Sequence, residues 1–126
     1  MNTQYIVVDD DPVNNQLCKY TLGKIFKGSE IKCFEFPAEG LKYIAEEYNL
    51  HPDARAVLFL DVNMPEINGW DFLEQFSKMG KAIVDQFTIY IVSSSIDPTD
   101  KERARANRLV KGYLKKPLSA QILSEL

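Results

Sequence analysis

Four short runs of this chain share one pattern. Val7-Val8 leads into Asp9-Asp10-Asp11-Pro12, and Leu58-Phe59-Leu60 leads into Asp61-Val62-Asn63-Met64-Pro65. Ile89-Tyr90-Ile91-Val92 leads into Ser93-Ser94, and Gly112-Tyr113-Leu114 leads into Lys115-Lys116-Pro117. Each starts as an apolar, strand-like run and ends on a polar or charged residue. An uninterrupted apolar run of this length reads as a strand covered on both faces, as in a parallel sheet. If such strands lie side by side, several carboxylates, a hydroxyl and an ammonium meet in one cleft. Clustered carboxylates repel by roughly 4 kcal/mol per pair at about 4 Å and an effective dielectric of about 20. They are tolerated together mainly when a cation sits among them, and an all-oxygen donor set points to Mg²⁺.

Between these runs the pattern switches to helical spacing. Residues 4–8 read as a first strand, and Asp11-Pro12 starts a helix, Asp11 as the N-cap and Pro12 at the first helical position. Leu17, Cys18, Thr21, Leu22 and Ile25 form its expected buried stripe, and Gly28-Ser29 breaks it. Residues 31–34 read as a second strand. A second helix is expected over 38–48, with Leu41, Ile44, Ala45 and Tyr48 inward, then a polar loop over 49–54. Residues 57–60 read as a central strand. Gly69 starts a third helix with Phe72, Leu73, Phe76 and Met79 facing in, and Trp70 is expected to be partly exposed. Residues 87–92 read as a fourth strand.

Asp97-Pro98 opens a fourth helix, over 99–108, whose only small apolar residues are Ala104 and Ala106, so it should be the least stable element. Residues 112–115 read as a short fifth strand. Ser119 caps a last helix with Ile122, Leu123 and Leu126 on one side; it stops after about two turns, as a helix cut there or continued in a longer parent would. Five βα units imply an α/β, doubly wound parallel sheet with helices on both faces and right-handed crossovers. Functional groups then belong at the carboxyl ends of the strands, where Asp9, Asp10, Asp61, Ser93 and Lys116 all fall.

Residues 1–126 fit one domain by length. The net charge of −3 gives no basic footprint, which argues against direct nucleic-acid binding. Lys101, Arg103, Arg105 and Arg108 make a basic stripe, but Asp100 and Glu102 dilute it. No apolar run approaches the roughly 20 residues of a membrane span, and no signal-peptide pattern opens the chain, so a cytoplasmic location is expected. Cys18 and Cys33 are too few and too far apart for a metal motif and read as small core residues. His51 is the only histidine, in a polar loop, which excludes Ser-His-Asp chemistry.

Taken together, Asp-Asp, Asp-x-Asn-Met-Pro-x-x-x-Gly, Val-Ser-Ser and Gly-Tyr-Leu-Lys-Lys-Pro, in this order along essentially the whole chain, resemble the receiver domain of two-component response regulators, as in single-domain chemotaxis regulators. The resemblance implies a flavodoxin-like fold of strand order 2-1-3-4-5. It implies that Asp61 accepts a phosphoryl group from a phosphohistidine, on a histidine kinase or histidine phosphotransfer protein, and then controls an unknown downstream protein. Asp9 and Asp10 match the pair that holds Mg²⁺, Asp10 directly and Asp9 mainly through water. Asn63 matches the residue that offers Mg²⁺ its backbone carbonyl. Ser93 and Lys116 match the hydroxyl and ammonium that hold phosphoryl oxygens. Lys116 rather than Lys115 is the match because the family's lysine directly precedes the proline, through a bond that is cis. Tyr113 matches the aromatic that swings inward on activation, although it also reads as static core. Asn63 and Ser95 fall at positions that tune the acyl-phosphate lifetime, and neither is a strong acid or base.

Other readings fare worse. A Mg²⁺-dependent aspartyl-phosphate phosphatase would carry its nucleophile on the first strand with a second Asp two residues on, whereas Asp61 is on the third and is followed by Asn63. A flavin carrier would need a phosphate-cradling loop where Asp9-Asp10-Asp11 stands. A pseudo-receiver acting only as a protein-interaction module would have no need of the intact acidic set.

Overall fold

The computed structural model describes residues 3–94 and 97–126. Strands and helices alternate: β1 (Thr3–Val8), α1 (Pro12–Ile25), β2 (Ile31–Phe34), α2 (Pro37–Leu50), β3 (Arg55–Asp61), α3 (Gly69–Ser77), α4 (Lys81–Val84), β4 (Phe87–Ser93), α5 (Pro98–Ala106), β5 (Val110–Lys115) and α6 (Ala120–Ser124). The strands form one sheet in the order β2-β1-β3-β4-β5, and every pair is parallel. This is the doubly wound, flavodoxin-like α/β fold.

The central strands carry continuous apolar runs because both faces are covered there. Val8, Leu58, Leu60, Ile89 and Ile91 point into a core closed by Ile44 of α2 and Phe72, Leu73 and Phe76 of α3. The alternate residues Val7, Phe59, Tyr90 and Val92 point the other way, onto Cys18 and Leu22 of α1 and Leu118 and Leu123 beside and within α6. Period-two alternation therefore puts the apolar residues of these strands in one core or the other.

Three caps fall where the sequence puts them. The carboxylate of Asp11 accepts the Val13 N–H (3.0 Å), Asp97 accepts from Thr99 (2.9 Å) and the Ser119 hydroxyl accepts from Ile122 (3.1 Å). Asn68 caps α3 through the Asp71 N–H (2.9 Å).

Several expectations need correction. The inner face of α1 is Asn14, Asn15, Cys18 and Leu22; Leu17 is 54% exposed, Ile25 is exposed and Thr21 is half-buried, its hydroxyl donating to the Leu17 carbonyl (3.0 Å). The two asparagines are held inward by hydrogen bonds to Asp9, and that rotates Leu17 outward. Trp70 is buried rather than partly exposed, at 8%. A one-turn helix, α4, intervenes before β4, started by Gly80 at φ +104°, a conformation that costs glycine little and other residues more. β5 begins two residues earlier than expected, and Leu126 is exposed rather than inward.

Helix α5 is as weakly anchored as its composition implies. Ala104 is its buried residue, whereas α3 buries Trp70, Phe72, Leu73 and Phe76. Full burial of each large apolar side chain is worth about 1.5–3 kcal/mol, so α3 is held by several kcal/mol that α5 lacks. Native-state hydrogen exchange should show the α5 amides opening with markedly less protection than those of α3; equal protection would refute this ranking.

Candidate functional site

Register brings the polar strand ends together. Val8 pairs with Leu60, Asp61 with Val92 and Ser93 with Lys115, so the residues that follow or end these strands lie at one edge of the sheet. Asp9 is 2% exposed, Asp61 4% and Ser93 fully buried, while Asp10 is half-buried. Carboxylate oxygens of Asp9, Asp10 and Asp61 all lie within 4.8 Å of one another. The Lys116 ammonium stands 2.6 Å from Asp9 Oδ2 and 3.3 Å from Asp61 Oδ1. Its backbone N–H donates to the Ser93 carbonyl (3.0 Å), and the Lys116–Pro117 bond is cis.

Asp9 is the most thoroughly fixed member of this cluster. Its Oδ1 accepts the Asp11 N–H (2.9 Å) and its Oδ2 accepts the Asn14 amide (2.7 Å) as well as Lys116. The Asn15 amide donates to the Asp9 carbonyl (2.9 Å). Neither asparagine was singled out from the sequence. The available signal was a pair of poor helix formers in the first turns of α1, where a side-chain amide is tolerated if it bonds elsewhere.

Asp61 lacks this support. Burial pushes its carboxyl up from an ordinary 3.8 to about 6, and the Asp9 charge adds to the rise, while Lys116 opposes it. Burial disfavours the Lys116 ammonium, but its hydrogen bond to Asp9 and the charges of Asp61 and Asp9 outweigh that and hold it above the ordinary lysine value. Three clustered carboxylates, two of them paired with the one ammonium, make an electronegative pocket of hard oxygen donors, and this set fits Mg²⁺.

The loop after β3 is folded tightly back onto the strand end. The Gly69 N–H donates to the Val62 carbonyl (2.9 Å), and a Cβ on Gly69 would stand 2.6 Å from the Asp61 carbonyl oxygen. Glycine is required there by that close approach. Val62 and Met64 are buried by the fold-back, and Asn63 is exposed beside the acidic cluster in sequence. Tyr113 is half-buried on β5, packed against the main core and lining a cavity of about 390 Å³ with Lys101, Ala104 and Arg105. Ser95 lies outside the described residues. Burial holds Cys18 as a thiol, its pKa pushed up to about 11 with a smaller push from Asp9, and His51 is exposed, 3.8 Å from Glu47.

A profile of the response regulator receiver domain matches residues 5–126. This chain belongs to the response regulator receiver family. No curated protein matches it significantly. Among solved structures, it is similar to a response regulator receiver protein from Dyadobacter fermentans, at 26% identity and TM-score 0.87, over 98% of this chain and 93% of the other. It is similar to a two-component response regulator from Cytophaga hutchinsonii, at 27% identity and TM-score 0.88, over 98% and 92% of the two chains. A receiver domain protein from Methanospirillum hungatei shares the fold, at 22% identity and TM-score 0.78, over 99% and 90%. The acidic pocket of this receiver is the Asp9, Asp10 and Asp61 cluster.

An acid whose folded-state pKa lies above its unfolded value is bound more tightly to its proton in the folded form. Asp61 therefore destabilises the metal-free receiver at pH above about 6, and this effect disappears below about pH 4. A rise of about two units corresponds to about 3 kcal/mol as an upper figure. In chelator at pH 7.5, Asp61→Asn should be more stable than wild type by about 1–3 kcal/mol in urea unfolding, and the gap should close as pH falls to 4. Coincident unfolding curves at pH 7.5 would contradict this account.

Proposed function

We propose that residues 1–126 form one receiver domain that works as a phosphorylation switch in a two-component relay. Asp61 is the phosphoacceptor, and a phosphohistidine on a histidine kinase or histidine phosphotransfer protein is the donor. The observation that carries this reading is the buried Asp61 carboxylate, at the end of a central strand, 3.3 Å from Lys116 and pushed up to about 6 by burial. A group in that state gains from any cation or charge transfer that relieves it. In the transfer, an Asp61 oxygen forms a bond to phosphorus as the phosphorus–nitrogen bond to the donor imidazole breaks. The imidazole keeps that electron pair and takes a proton.

Phosphoryl transfer asks for positioning and charge neutralisation more than covalent help. Asp9, Asp10 and Asp61, with the Asn63 backbone carbonyl, would hold Mg²⁺, which neutralises charge on the phosphoryl oxygens. Lys116, already within reach of Asp61, covers a second oxygen, and the buried Ser93 hydroxyl covers a third. Asp9 is tied down by Asn14, Lys116 and the Asp11 N–H, which leaves Asp10 as the more available direct ligand.

The product adds about −1.5 to −2 charge beside Ser93 and Lys116. Ser93 follows that charge, Tyr113 fills the space, and the face made by α5, β5 and α6 changes shape for a downstream protein. The weak anchoring of α5 suits such a movement. Val13, Leu17 and Tyr20 form an exposed apolar stripe on α1 starting beside Asp11, a surface a protein donor could bury as it presents its phosphohistidine to the cleft. The receiver acts on itself and slowly releases phosphate, rather than turning over a soluble substrate. Among the described residues no helix is long and apolar enough to cross a membrane, which supports action in the cytoplasm.

Incubation with acetyl phosphate and Mg²⁺ should add one labile phosphoryl mass to wild type and none to Asp61→Asn, and prior chelator should abolish it. No adduct on a wild type that binds Mg²⁺ would leave the pseudo-receiver reading in its place. Because the Asp11 carboxylate is committed to capping α1, Asp10→Ala should weaken Mg²⁺ binding at least tenfold more than Asp11→Ala in titration calorimetry; equal affinities would assign the wrong carboxylate.

A further inference from the structure

A second concave site lies away from the acidic cleft. Helices α3 and α4 form one wall, and α5 with the turn into β5 forms the other, around a cavity of about 940 Å³. Its apolar lining includes Trp70, Leu73, Val84 and Leu109. Trp70 stands out among these. Its indole N–H is buried and has no hydrogen-bond partner among the described residues, a state that costs about 1–3 kcal/mol. The Arg103 guanidinium covers its ring at 4.7 Å from the centroid.

The charges around this groove are unevenly matched. Lys81 pairs with Asp85, and Glu74 pairs with Lys78 at 3.9 Å. Arg105 pairs with Glu102, on the neighbouring stretch of α5. Arg103 and Arg108, which line the groove, have no carboxylate within ion-pair distance among the described residues. Two uncompensated guanidiniums thus flank an apolar floor, in a protein whose net charge is −3. Guanidinium forks match carboxylates in geometry and charge, and an arginine already stacked on an aromatic is held in place for such a contact.

We propose that this groove docks an acidic peptide segment of a partner protein. An apolar side chain of the peptide packs on Trp70, Leu73 and Leu109, and flanking carboxylates pair with Arg103 and Arg108. This surface does not depend on the chemistry proposed for Asp61.

Trp70 is the only tryptophan, so its fluorescence and its indole N–H resonance report on one residue of the groove. The probe is an acetylated, amidated peptide of three Glu-Glu-Leu-Leu repeats, titrated into the full chain. The expected result is a saturable shift of the Trp70 indole resonance, weakened at least tenfold in the Arg103→Ala/Arg108→Ala variant and unchanged in Asp61→Asn. A control peptide with Lys in place of Glu should leave the resonance unmoved. Both arginines are exposed, so the variant should fold, and its thermal melt checks this. An absent shift, or one the double variant retains at full affinity, overturns the proposal. Displacement of the peptide by an oligothymidylate at equal concentration would overturn the peptide as occupant in favour of a phosphate polymer. Loss of the shift in Asp61→Asn would overturn the independence of the two sites, whereas failure of acetyl phosphate labelling would bear only on Asp61.

Discussion

Parallel pairing of β1, β3 and β4 forces the polar residues at their carboxyl ends to the same edge of the sheet, inside an envelope that excludes most water. Val8 lies level with Leu60, and Asp61 level with Val92. The same register that buries Ile6, Leu58 and Ile91 therefore delivers Asp9, Asp61 and Ser93 to one point. Shifting a strand by one residue would exchange its two faces and scatter the site. Core packing and site geometry are in this sense one constraint, and the uncharged interior of the strands is what makes their charged tips so unfavourable alone.

The fold meets that unfavourable charge unequally. Asp9 is satisfied from several directions, by Asn14, Lys116 and a backbone N–H, and serves as a fixed anchor. Asp61 has Lys116 alone of these partners and stays raised in pKa. Two carboxylates close together with such different support differ in how readily they hold charge, and that difference underlies the proposal that Asp61 is the reactive one. Lys116 links them, and its backbone is itself bonded to Ser93, so a change of charge at Asp61 is felt at once on β4 and β5.

Much of this was legible in the sequence because the signals were local. Continuous apolar runs marked the buried strands, Asp-Pro pairs marked two helix starts, and the polar tips marked the site. What was not legible depended on contacts between distant residues. Apolar periodicity put Leu17 inside α1, but the Asp9 carboxylate draws Asn14 inward and the Asp9 backbone carbonyl draws Asn15, and no hydropathy pattern contains those hydrogen bonds. Trp70 follows a glycine and precedes an aspartate, which suggests exposure. The close seating of Gly69 on the Asp61 carbonyl and the overlying Arg103 bury it. The short α4 turn arises from Gly80 at positive φ, a local choice that glycine permits without requiring.

The strength of α5 anchoring sets what the site can control. A charge change at Asp61 can bias a neighbouring element only by its differential interaction with two arrangements of that element, a few kcal/mol at most. A helix held like α3, by Phe72, Leu73 and Phe76 in the core, would lie beyond that reach. Helix α5 buries Ala104 and rests its Arg103 on Trp70, whose neighbour Gly69 sits on the Asp61 carbonyl. Its polar composition gives it little intrinsic claim on the core, so the displacement proposed for it lies within the range a single phosphoryl group can supply. The same Arg103 contact places one wall of the arginine-lined groove on α5.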